Sequence, residues 1–208
     1  MKIGRLLTLM AIVLVMFSQS SDLFAQTRNS QVELYGGIAF PTKPDDFKNY
    51  FKNGLSIHGQ FVTFPSPRFG VSFGAAYERF SFDDQAFLTD LEEAFGVDLT
   101  GVTVEGSASV IELGVGLRPY LTQPEASTQF FLFGMGTYNI LKTEATVTGF
   151  GASESTAGDE NKFGVAFGAG FELPAGESMN IIVQGLYRII FTADESTSFV
   201  GVTGGLVF

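Results

Sequence analysis

Apolar and polar residues alternate with a period of two through most of the chain beyond residue 30. In the segment 69–82, for example, Val71 and Phe73 alternate with Ser72 and Gly74. Successive side chains of a strand point to opposite sides of a sheet, so this alternation predicts strands with one apolar and one polar face. The segments that show it are about 31–40, 55–64, 69–82, 102–120, 129–148, 162–172, 180–191 and 199–208.

The connections between these segments alternate in length until the last one. The long ones fall at 41–54, 83–101 and 149–161, and short turns such as 65–68 lie between them. Tilted strands of about ten residues can cross a bilayer, where lipid leaves no water to satisfy an open sheet edge. We therefore predict an all-β fold: a closed, antiparallel, up-and-down transmembrane β-barrel of about eight strands with long loops at one end.

Two of the long connections have a character of their own. Phe87, Leu88, Leu91 and Phe95 recur at helical spacing, which predicts a short helix around 85–95. The connection 149–161 is rich in Gly, Ser and Glu and is expected to be a mobile polar loop.

The first segment has the anatomy of a secretory signal peptide. Lys2 and Arg5 precede the apolar run 6–17, which is shorter than the roughly 20 residues that a single membrane anchor needs. Cleavage after Ala25 and cleavage after Ser20 both remain open. With the first of these, residues 1–25 are the signal peptide and residues 26–208 form the barrel domain.

Composition excludes several classes of function. The formal net charge of the 208 residues is -10, which argues against nucleic-acid binding, since that requires Lys and Arg to neutralise phosphates. The absence of Cys excludes disulfides and thiolate zinc sites. The acidic run Asp90, Glu92, Glu93 and Asp98 is expected to be the solvated face of the predicted helix rather than a metal site. No cofactor is predicted.

Glycine and aromatic residues recur together inside the predicted strands. The motifs are Tyr35-Gly36-Gly37, Phe133-Gly134-Met135-Gly136, Phe167-Gly168-Ala169-Gly170-Phe171 and the terminal Gly204-Gly205-Leu206-Val207-Phe208. With them the chain, over about 31–208, resembles the small outer-membrane β-barrel family, which is also described as porin-like. The resemblance implies a Gram-negative outer-membrane location, contact with outer-membrane lipid, and a terminal Phe208 that signals assembly to the outer-membrane insertion machinery.

The polar face of the strands is expected to line the barrel. An interior of eight strands is about wide enough for side chains only, and charges there must be paired or hydrated. We therefore predict a polar network of Glu/Arg pairs that fills the barrel. Its members are Glu33, His58, Glu78, Glu112, Arg118, Glu172, Gln184 and Arg188.

Aromatic residues near the strand ends are expected to form two girdles at the membrane interfaces. They are Phe64, Phe69, Tyr120, Phe171 and Phe208 at one end, and Tyr77, Phe80, Tyr138, Tyr187 and Phe191 at the other.

Three functions remain open. The first is a non-enzymatic barrel with a structural or surface-interaction role through its outer loops, whose partner the sequence does not identify. The second is a small passive pore, and the third is a periplasmic, lipocalin-like binder of an apolar ligand with its apolar face inward. Ser56 and His58 lie two apart and could in principle support acyl transfer, but they share the inward face of Gln60, so no enzyme is predicted.

Overall fold

The computed structural model describes residues 29–149, 152–176, 179–193 and 195–208. The predicted signal peptide, residues 1–25, lies outside the described residues. Two helices, α1 (Asp45–Tyr50) and α2 (Asp84–Phe95), follow the first and third strands. The strands are β1 (Ser30–Lys43), β2 (Gly54–Ser66), β3 (Phe69–Ser81), β4 (Thr103–Pro119), β5 (Gln129–Gly149), β6 (Ala152–Pro174), β7 (Asn180–Ile190) and β8 (Thr197–Val207).

The strands close into a single barrel. Each strand pairs antiparallel with the next, and β1 pairs with β8, where Ile38 lies opposite Val202. The fold class predicted from the sequence is therefore confirmed. We call the end that holds the β2–β3, β4–β5 and β6–β7 turns the turn end, and the end that holds both helices the helix end.

The two faces of the strands differ sharply in polarity. Leu55 and Phe163 point outward and are 73% and 70% exposed, whereas Glu33 and Arg188 point inward and are almost fully buried. A barrel that carries an apolar ligand through water requires the opposite arrangement. The apolar exterior is the surface that a membrane-spanning barrel presents to lipid.

The segment 149–161 is not the mobile loop that its composition suggested. Strand β6 begins at Ala152, and it pairs with β5 from Gly149↔Ala152 onward without a register shift. Most of its side chains here are exposed on both faces, so no apolar alternation marks the strand in the sequence. The backbone ladder and cross-strand hydroxyl pairs form it instead, such as Thr146–Ser155 at 2.9 Å.

Three aromatics assigned to the membrane girdles point into the barrel. Phe80 and Tyr120 are buried, and Phe64 packs beside Tyr120 with ring centroids 5.7 Å apart. They continue the inward-pointing positions of their strands. Nearness to a strand end therefore does not determine to which side of the sheet a side chain points. Outward aromatics do pair across strands, for example Tyr138 with Phe163 at 5.6 Å.

The two helices cover one end of the barrel. Helix α2 confirms the prediction around 85–95: the Asp83 side chain accepts from the Ala86 N–H at 3.4 Å, and Gly96 ends the helix at φ 63. Helix α1 was not predicted, and its Phe47 is buried. Among the described residues, neither helix is long and apolar enough to cross a membrane.

Candidate functional site

The structure brings the inward polar residues together around two arginines. All eight residues named in the sequence prediction are at most 5% exposed. Nearer the turn end, Arg118 binds Glu33 with both terminal nitrogens, and its Nη2 lies 2.8 Å from Glu33 Oε2. The same Nη2 donates to Gln60 Oε1 at 2.9 Å. Glu172 lies 3.5 Å from Arg118 Nη1 and accepts from the Tyr120 hydroxyl at 2.7 Å.

A second cluster lies nearer the helix end. Arg188 Nη2 donates to Glu112 Oε1 at 2.9 Å, and its Nη1 contacts Glu78 Oε1. His58 Nε2 lies 3.6 Å from the same Glu78 oxygen. The imidazole stacks on the ring of Tyr35 at 4.8 Å, and the Tyr35 hydroxyl donates to Gln60, which joins the two clusters. Gln184 is buried on the same inner face.

These contacts span the barrel wall to wall. The carboxylates lie on β1, β3, β4 and β6, whereas the arginines lie on β4 and β7. Buried charges are tolerated only when they are paired and hydrogen-bonded, and a bidentate arginine meets that requirement best. Each arginine therefore binds strands that are distant in sequence.

Two apolar clusters share the interior with the polar network. The first lies among the residues around Arg118 and comprises Tyr35, Tyr120, Phe131, Phe133, Ile182, Leu186 and Val207. The second lies toward the helix end and comprises Ala39, Phe47, Phe80, Val110, Ile190 and Phe199. The space left beside Tyr35, His58 and Gln184 has a volume of about 10 Å³, which is room for about one water molecule.

Sequence reasoning missed the aromatic partners of the arginines. The Arg118 guanidinium lies over the Phe131 ring at 4.4 Å, and that of Arg188 lies over Phe199 at 5.2 Å. Residues 130–133 are all apolar, so alternation alone does not show which of them point inward. In the structure Phe131 and Phe133 point inward.

Ser56 and His58 do not form a catalytic pair. His58 is buried between Tyr35 and Glu78, while Ser56 Oγ has no hydrogen-bond partner among the described residues. Nor does any group of three or more His, Asp or Glu side chains in the described part of the chain have an arrangement that could hold a metal ion.

The helix end is acidic and ordered by contacts between its segments. The Tyr50 hydroxyl of α1 donates to Asp90 Oδ2 of α2 at 2.8 Å, and this hydrogen bond raises the pKa of Tyr50 above its usual value. Lys52 lies 3.7 Å from Asp83. Helix α2 carries Asp84, Asp90, Glu92 and Glu93 and has no basic residue. Beside it, β4, β5 and β6 project beyond the barrel as a small sheet.

The comparisons with known proteins agree with this architecture. No family model and no curated protein matches the sequence. The crystal structure of neisserial surface protein A is similar, with 9% identity, a TM-score of 0.51, and 88% of this chain and 98% of that one covered. A major outer membrane protein from Thermus thermophilus has 11% identity, a TM-score of 0.52 and coverage of 87% and 99%. These likenesses show that the fold is that of outer-membrane β-barrels.

Proposed function

We propose that this chain, which has the fold of the small outer-membrane β-barrels, is an integral outer-membrane protein without enzymatic activity that presents its helix end as an interaction surface. The observation that carries the proposal is the contrast between the two parts of the molecule. The barrel interior is filled with paired charges and aromatic rings, whereas the helix end carries an ordered, exposed surface.

Insertion into the outer membrane is supported by the outward apolar face. Four outward side chains are each more than half exposed: Leu55, Ile57, Leu113 and Val115. Exposing this apolar surface to water costs free energy, and contact with lipid removes that cost. The helix end holds the two helices and the long β5–β6 hairpin, so it faces the cell exterior, where such barrels place their long loops.

A passive pore is disfavoured by the filled interior. Water and ions would have to pass Arg118, Arg188 and the aromatic rings that stack on them, and these side chains are held by several contacts each. The interior instead stabilises the closed sheet that carries the helix end.

Assembly depends on the last strand in this proposal. The Phe208 side chain is 56% exposed on the lipid-facing side, while its backbone N–H and C=O bond to Val32 of β1 at 2.9 Å and 3.0 Å. The backbone groups of Phe208 are therefore open to the insertion machinery only before β8 closes against β1.

The experiment has two parts. Membranes are fractionated, and the extracted protein is run on gels with and without boiling in detergent. We expect outer-membrane residence and a heat-dependent shift in mobility. The folded protein is then placed in planar bilayers, where we expect no steady conductance. An open outer-membrane porin placed in the same bilayers serves as the conducting control.

Each alternative gives a distinct result. Steady wild-type currents, like those of the porin control, would make the protein a pore and overturn the interaction role. Recovery as a detergent-free periplasmic protein would overturn membrane insertion and favour a carrier of an apolar ligand.

A further inference from the structure

Strand β6 extends well beyond the strand that pairs with its second edge. The ladder between β6 and β7 begins at Gly164↔Ile190, whereas β5 pairs with β6 as far as Ala152. Among the described residues, the part of β6 from 152 to 163 therefore has a strand neighbour on one side only. We call this segment the β6 edge.

The direction of the hydrogen bonds alternates along β6, and this alternation shows which backbone groups point to the open side of the edge. The Phe191 N–H donates to the Phe163 carbonyl at 2.9 Å, so Phe163 directs its backbone polar groups away from β5. Gly158 directs its carbonyl toward β5, where the Thr143 hydroxyl reaches it at 3.5 Å. Because antiparallel strands alternate in this way and β6 has no register shift here, the odd-numbered residues have their N–H and C=O on the open side. They are Ser153, Ser155, Ala157, Asp159 and Asn161.

The β6 edge lacks most of the features that usually block strand addition. Exposed edges are commonly protected by proline, bulges or inward-pointing charges. The segment 152–163 contains no proline, and its register with β5 is regular. Its one lysine, Lys162, lies near the base of the edge and within 3.1 Å of Glu160. The edge can therefore accept another strand.

Charge selects the kind of strand. The projecting sheet carries two lysines, and its acidic residues outnumber them. The acidic residues are Glu105, Glu144, Glu154, Asp159 and Glu160, and the lysines are Lys142 and Lys162. Helix α2 adds further carboxylates at the same end of the barrel. A second copy of this chain would bring like charges together, whereas a basic segment would be attracted.

We propose that the β6 edge is a docking site for an extended, basic segment of another protein, which adds to the sheet as a further strand. The proposal rests on the interaction role proposed above and identifies its site and its partner class. Backbone hydrogen bonds from the odd-numbered residues hold the segment, and the surrounding carboxylates select its basic side chains.

The test uses the full, folded barrel in detergent micelles. The probe is a fluorescent, capped peptide of alternating Lys and Thr, about ten residues long, which is the upper end of ordinary strand lengths. Binding is measured by fluorescence anisotropy at several salt concentrations. We expect the Lys–Thr peptide to bind with an affinity that falls as salt rises, and a Glu–Thr peptide of equal length not to bind.

A matched pair of variants isolates the backbone contribution. Ala157→Pro removes an outward N–H and leaves the ladder with β5 intact, so it should weaken peptide binding about five- to tenfold. Ala157→Thr keeps the N–H and should bind as wild type does. The combined change Glu154→Gln, Asp159→Asn and Glu160→Gln should weaken binding and flatten its salt dependence. A heat-dependent gel shift verifies that every variant is folded.

Two results would overturn the proposal. If the Lys–Thr peptide binds wild type and Ala157→Pro equally, attraction is by charge alone and no strand is added. If it does not bind wild type, the β6 edge is not a docking site for basic segments. Either failure in a barrel that inserts and does not conduct leaves the proposed function standing, whereas conductance or periplasmic solubility refutes that function separately.

Discussion

The guanidinium carbon of Arg118 lies 4.4 Å from the centroid of the Phe131 ring, while its Nη2 donates to Glu33 at 2.8 Å. The same arginine therefore belongs to the polar network and packs against the apolar cluster that contains Phe131. Arg188 has the equivalent relationship with Phe199 and Glu112. Charge compensation and packing of the interior are thus coupled through two side chains.

Replacing Arg118 should destabilise the barrel strongly. Arg118→Met leaves Glu33 and Glu172 as buried charges without their cation, which typically costs about 3–5 kcal/mol. The free energy of unfolding is measured by urea titration of the barrel in lipid vesicles. Adding Glu33→Gln to Arg118→Met should recover part of the loss. Equal stability of wild type and Arg118→Met would show that the pairing does not hold the barrel together.

The aromatic cluster at the helix end should also contribute to stability. Phe80 is fully buried and packs against Phe47 and Phe199 with ring centroids 4.9 Å and 5.4 Å apart. Phe80→Ala should cost about 3–5 kcal/mol because it leaves a cavity beneath α1. Phe95 of α2 is 72% exposed, so Phe95→Ala should change stability by less than about 0.5 kcal/mol. The same urea titration compares the two, and similar effects would contradict the packing described.

Two glycines distinguish a crowded position from an open one. A Cβ on Gly205 would lie 2.1 Å from the Leu34 carbonyl oxygen and 2.4 Å from Tyr35 Cα, at the seam between β1 and β8. Gly205→Ala should therefore cost about 1–3 kcal/mol through overpacking. A Cβ on Gly134 would meet nothing within 4 Å, so Gly134→Ala is the matched control. Refolding yield into micelles reports the difference, and equal yields would argue against close approach at the seam.

The terminal residue should affect assembly in cells more than folding in detergent. Phe208→Ser should lower the amount of barrel in the outer membrane several-fold, while refolding of the purified chain into micelles stays near wild type. Phe130 is also lipid-facing, at 48% exposed compared with 56% for Phe208, so Phe130→Ser is the control and should assemble normally. If both variants were depleted from the outer membrane to the same extent, the cause would be the loss of apolar surface in general and not a special role of the terminal residue.

The contact between α1 and α2 should weaken at alkaline pH. Because its hydrogen bond to Asp90 raises the pKa of Tyr50 above 10.0, folding favours the protonated phenol. The stability that this hydrogen bond contributes is fully present below the pKa of Tyr50 in the unfolded chain. It is lost as the pH rises through the pKa of Tyr50 in the folded protein. Proteolysis of the helix end should therefore accelerate at strongly alkaline pH in wild type. Tyr50→Phe, which lacks the bond, should show a smaller acceleration, and an identical pH profile would exclude this role.

The strands and their faces could be predicted from the sequence because the signal is local. Alternation with a period of two placed Glu33 and Arg118 inward and Leu113 outward before any pairing was known, and the structure has the same facing. The closed barrel followed because eight such strands with apolar outer faces leave no other way to satisfy their edges in lipid.

Tertiary structure alone decided which charges meet and where β6 begins. Arg118 and Glu33 are distant in sequence and meet only because barrel closure sets the register of every strand. The segment 152–161 has no apolar face, so its backbone pairing with β5 left no periodic trace in the sequence. The side of the sheet to which a side chain points follows from its position along one strand. Which side chains meet across the barrel depends on the stagger of all the strands that lie between their own strands.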